Sequence, residues 1–95
     1  GAAVLTDKGN VYTGVCIDTD CSLGMCAERN ALSTMISHGE YAARKVVAVT
    51  KMGEILPPCG ACREFMMQLG SPENIEILVD SDTAVTLKDL VPYPY

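Results

Sequence analysis

The chain has 95 residues, 48% of them hydrophobic, which suits one small folded domain and excludes a disordered segment. A net charge of −5 with seven scattered Lys and Arg residues argues against a polynucleotide partner, which is held by clustered cations. No apolar run reaches the roughly 20 residues of a membrane span, and no stretch has the basic, apolar, small-residue order of a signal peptide.

Read in chain order, Ala2–Leu5, Thr6–Asn10 and Val11–Val15 predict strand, turn and strand. Cys16–Gly24 has no period and reads as a loop, with Cys16 and Cys21 as loop or small buried thiols. Cys26–Ser37 predicts a helix, with Ala27, Ala31, Leu32, Met35 and Ile36 on its apolar face. His38 suits the negative end of that helix and Gly39 its stop.

Val46–Val49 is continuously apolar and predicts a strand covered on both faces. A turn at Lys51–Glu54 follows. Pro57-Pro58 then leads into a second predicted helix, Cys59–Leu69, stopped by Gly70 and Pro72. Met66-Met67 belong to its core or subunit-contact face. Ile75–Val79 predicts another strand, Thr86–Leu90 a short last helix, and Tyr93 and Tyr95 a tail or a packing contact. Alternating strands and helices predict a single α/β sandwich domain over residues 1–95, built on a mainly parallel or mixed sheet.

Chemistry concentrates in two short motifs, Cys26-Ala27-Glu28 and Pro58-Cys59-Gly60-Ala61-Cys62. Five cysteines make an odd number for a disulfide framework, and a chain without a secretory pattern is expected in the reducing cytoplasm, where cysteines hold metals. Three cysteines form an open zinc site, with a coordination position left for water. Cys59 and Cys62, three apart at a helix start, present their sulfurs to one ion, and Cys26 opens the other helix. Two helix N-termini facing the sulfurs favour the thiolate form.

Glu28 is placed to move protons at the vacant position. Three thiolates outweigh the charge of one Zn²⁺, so a nearby cation is needed, and Arg29 and Arg63 are the candidates. The competing reading is a closed structural zinc with Cys21 or His38 as fourth ligand, which makes the chain a binding module.

At these motifs, Cys26-Ala27-Glu28-Arg29 and Pro58-Cys59-Gly60-Ala61-Cys62-Arg63-Glu64, the chain resembles the cytidine deaminase family of three-cysteine zinc type. Gly1-Ala2-Ala3-Val4 and Leu87-Lys88-Asp89-Leu90-Val91-Pro92 are similar to that family's first strand and last helix. The resemblance implies a three-layer α/β/α sandwich with a mixed sheet of about five strands, from which the family's N-terminal helix is absent here. It implies Zn²⁺ on Cys26, Cys59 and Cys62, Glu28 as the catalytic proton shuttle, and the Ala27 N–H as a donor to the pyrimidine carbonyl.

It also implies a small nucleoside substrate, no membrane or nucleic-acid partner, and a homotetramer with active sites near subunit borders. Ribose-binding members carry Asn-x-Glu before the first motif. Here Cys16 stands for the Asn and Asp18 for the Glu. That departure makes a blasticidin S deaminase-like aminohydrolase the alternative, with a polynucleotide base deaminase the third class.

Overall fold

The computed structural model describes all residues from Gly1 to Tyr95. Strand β1 (Ala2–Thr6) alternates buried and half-buried residues, the period-two signature of a pleated strand with one covered face. It pairs antiparallel with β2 (Val11–Gly14) and with β3 (Ala43–Val49), and β3 pairs parallel with β5 (Glu76–Asp80). Strand β6 (Thr83–Thr86) closes the far edge and β4 (Ile55–Leu56) joins β3, giving the order β2-β1-β3-β5-β6 with β4 off that path. The α/β class and the mixed sheet expected from the sequence are therefore observed, with one parallel pairing and six strands, of which β4 has only two residues.

The helices are α1 (Ala27–Ser37), α2 (Gly60–Met67) and α3 (Leu87–Leu90), with a 3₁₀ turn at Pro72–Asn74. One core joins them to one face of the sheet: Val4, Val46 and Ile77 meet Leu32, Met35, Met66 and Leu87. Each large side chain buried this way contributes about 1.5–3 kcal/mol. Helix α1 lies hard against β2 at Gly14, where an added Cβ would come 2.4 Å from the Ala31 nitrogen and 2.8 Å from the Ala27 oxygen. Only glycine permits that approach.

The opposite face carries Ala3, Leu5, Val11, Lys45, Val47 and Leu78 along an open, mostly apolar groove. The expectation that β3 is covered on both faces is corrected here. Within these residues all three helices pack on the other side, which leaves Val47 half-buried and Val49 exposed.

A polar knot ties the β1–β2 hairpin to the segment after α1. Glu40 is buried, and its Oε2 accepts from Tyr12 Oη at 2.6 Å and from Asn10 Nδ2 at 2.9 Å. His38 stacks its ring on Tyr12 at 5.1 Å and ends α1 with Nδ1 2.8 Å from the Thr34 carbonyl.

Candidate active site

Cys26 is the N-cap of α1 and Cys59 the N-cap of α2, both with extended backbone, while Cys62 lies in the first turn of α2. The ends of two helices thus converge as the motif spacing predicts. The three sulfurs lie within 4.8 Å of one another, and Cys26 Sγ is 3.4 Å from Cys59 Sγ. Neither Cys21 nor His38 joins them, so the closed four-ligand reading fails on position. His38 lies at the opposite end of α1, and Cys21 is an exposed loop thiol 3.2 Å from Thr19 Oγ1.

Sulfurs at tetrahedral zinc, with Zn–S near 2.3 Å, stand about 3.8 Å apart, between the 3.4 Å of the Cys26–Cys59 pair and the 4.8 Å within which all three lie. Its protonation chemistry also calls for a cation. Burial pushes the Cys62 thiol well above its ordinary range, and the neighbouring Cys59, Cys26 and Glu28 push it further. For Cys59 burial acts in the same sense. The N–H groups of Cys62 and Ala61 and the Cys26 and Cys62 thiols outweigh it, and Cys59 is left below its ordinary value. To ionise together, three thiols this close would need a dication among them, and the donor set is one that zinc prefers.

Arg29 lies over the trio, with Nη2 3.8 Å from Cys26 Sγ. The Cys26 sulfur, followed by that of Cys62, stabilises its charge, although burial opposes it. Arg63 does something else: its Nε donates to the Pro58 carbonyl at 2.8 Å and braces the turn that presents Cys59.

Glu28 is buried in the first turn of α1 and lines a hollow of about 230 Å³ together with Cys26, Ala27 and Cys59. Residues two apart on a regular helix point to different sides, yet Cys26 and Glu28 both sit at the open end of α1 and line this one hollow. The free N–H groups of that end, Ala27 included, face outward from the first turn.

A second hollow of about 240 Å³, lined by Asp18, Ser22 and Arg29, shares Cys16 and Cys26 with the first. A larger one of about 620 Å³ lies by the sheet edge at Thr13, Gly14 and Thr34 and holds no sulfur or carboxylate, so it is not the site.

Residues 1–78 match the family described as the cytidine and deoxycytidylate deaminase zinc-binding region. The chain belongs to this family. A probable cytidine deaminase of Dictyostelium discoideum is 34% identical over 87% of this chain, which spans 58% of that relative's length. The cytidine deaminase of Halalkalibacterium halodurans is 34% identical over 97% of this chain and 73% of its own length. The crystal structure of the Mycobacterium tuberculosis cytidine deaminase superposes with a TM-score of 0.90 at 29% identity, covering 99% of this chain and 76% of that one.

Cytidine deaminases of this family are zinc-dependent hydrolytic enzymes, and Cys26, Cys59 and Cys62 are the residues positioned here to hold the ion. The walls of the hollow were not foreseen. Val49 comes from the end of β3, and Leu56 and Pro57 come from the two-residue β4 and the turn after it. The Pro57-Pro58 pair was the only nearby signal.

Proposed function

We propose that this chain is a zinc-dependent aminohydrolase that converts cytidine or deoxycytidine, or a related free aminopyrimidine nucleoside, to the uridine form with release of ammonia. The observation that carries the reading is a buried carboxylate, Glu28, in the same hollow as Cys26 and Cys59, two sulfurs of the trio. Zinc bound to Cys26, Cys59 and Cys62 would supply a water acidic enough to ionise near neutral pH.

Glu28 takes the proton from the attacking water and gives it to the ring nitrogen next to the amino-bearing carbon, which makes that carbon electrophilic. It then takes the remaining proton from the hydroxyl now on that carbon and delivers it to the departing amine, the carbon–nitrogen bond breaks, and water and substrate become ammonia and the uridine form. The Ala27 N–H at the α1 N-terminus donates to the pyrimidine carbonyl, and Arg29 offsets the sulfur charge. The two adjoining hollows give room for a ring and its sugar on the scale of small-molecule sites, about 300–1,000 Å³.

Cytidine deaminases as the named relatives favour a cytidine-type substrate over blasticidin S. No helix is long and apolar enough to cross a membrane. A cytoplasmic homotetramer acting in pyrimidine salvage is the setting we propose.

The test is an ammonia-release screen of cytidine, deoxycytidine, cytosine, blasticidin S and single-stranded DNA, with zinc measured on the same sample. Turnover is expected on the free nucleosides. Glu28→Gln should lower kcat about 10²–10⁴-fold while keeping the zinc. Unchanged turnover in that variant would remove the proposed proton carrier.

A further inference from the structure

Ile17 and Met25 exchange both of their backbone hydrogen bonds, each at 2.8 Å, as an antiparallel bridge in the loop before α1. The bridge is isolated, and continuing its register by one step sets Cys16 opposite Cys26, the place of a non-hydrogen-bonded pair whose side chains share one side. Cα atoms at such positions are about 4.5 Å apart, inside the range of about 4.4–6.8 Å that a disulfide spans. Cys26 has φ −64° and ψ 149°, so extended geometry runs through it up to the helix. Gly24 keeps the two strands together, because an added Cβ there would come 2.4 Å from the Ile17 carbonyl.

Both thiols line both hollows. Cys16 is exposed and stands outside the sulfur trio, its Sγ 3.9 Å from Asp18 Oδ1, which leaves that thiol free to change partner.

We propose that Cys16 and Cys26 form a reversible disulfide that withdraws Cys26 from the metal-binding trio and so places the zinc site under thiol–disulfide control. The control rests on the zinc reading above, whereas the pairing itself does not. The oxidant is a small-molecule disulfide of the glutathione class. Cys16 thiolate attacks one glutathione sulfur, breaks its S–S bond and releases one glutathione thiolate. The Cys26 sulfur then attacks the Cys16 sulfur, closes the protein disulfide and releases the second glutathione thiolate. The two electrons lost by the protein thiols, and their protons, leave on the two glutathiones. Cys59 and Cys62 alone are too few ligands for a protein zinc site.

Cys59, 3.4 Å from Cys26, is the competing partner, so the bond must be mapped. The full chain, zinc-loaded and metal-free, is equilibrated over a series of reduced-to-oxidised glutathione ratios. Disulfides are then assigned by peptide mass spectrometry, and released zinc is read with a chromophoric chelator.

The expected result is a Cys16–Cys26 peptide in both samples, with loss of zinc from the loaded chain in step and recovery on adding dithiothreitol and zinc. Cys16→Ser should form no such bond and keep its zinc at ratios that strip the wild type, and Cys21→Ser should behave as wild type. A bond mapped to Cys26–Cys59 or Cys16–Cys21, no bond at any ratio, or equal zinc loss from Cys16→Ser overturns the proposal. A chain that forms the bond metal-free yet takes up no zinc when fully reduced overturns the control together with the zinc reading, and the peptide map separates that result from a failed pairing.

Discussion

Arg29 turns its guanidinium onto the sulfurs from within the same helix turn that carries Glu28, and its Nε is buried without a partner. A cation left partly unbonded in this way persists where anionic charge compensates it, and thiolates do so here. Arg29→Met should therefore weaken zinc binding about 10–100-fold, measured by competition with a chelator of known affinity. A variant that binds zinc as tightly as wild type would reduce Arg29 to packing.

At this scale the sequence was informative because ligand spacing is local. Cys26, Glu28, Cys59 and Cys62 announce themselves within two short windows, and helix geometry does the rest. Val49 and Leu56 gave no such notice. They reach the hollow only through the pairing of β3 with β4, which no residue pattern in Ile55-Leu56 encodes.

Among the elements, the β1–β2 hairpin and the end of α1 are joined through Glu40. Its carboxyl is held below the ordinary value of 4.5 by the Tyr12 hydroxyl first, then by Thr6 and Asn10, against the effect of burial. A carboxyl with a depressed folded-state value stabilises the fold above its ordinary pKa, and that contribution fades as pH falls through the folded value. Glu40→Gln should consequently lower the urea midpoint at neutral pH, and the gap to wild type should close as the solution is acidified below 4.5. A gap independent of pH would show that shape, not charge, holds the knot.

The strong elements were legible: β1 and β2 as strand-forming runs on either side of the Thr6–Asn10 turn, α1 by its apolar face, and β3 and β5 by their Val and Ile content. Strand β6 was not, because Thr83-Ala84-Val85-Thr86 is short and half polar and is made a strand by lying beside β5. The one-sided burial of β3 was equally hidden. An apolar run states what a strand tolerates on its two faces, not what is packed there.

For the molecule as a whole, a core this small leaves a bound ion a large share of the stability. Free zinc at a hundred times its dissociation constant adds about 2.7 kcal/mol. Removing it with a chelator should lower the thermal midpoint by roughly 10–20 °C in a domain of this size, as followed by calorimetry. A midpoint indifferent to the chelator would mean that the sulfurs hold nothing.

The parallel pairing of β3 with β5 carries this further. The hairpin at the start of the chain closes on near neighbours, but Cys26 and Cys59 are 33 positions apart. The second helix start must be brought beside the first before the sulfurs can meet, and contacts between distant segments carry a larger loop-closure cost. Ligation that is absent from the folding barrier acts on the way out of the native basin and not on the way in. The ion would lengthen the lifetime of the finished fold and leave the speed of its formation untouched.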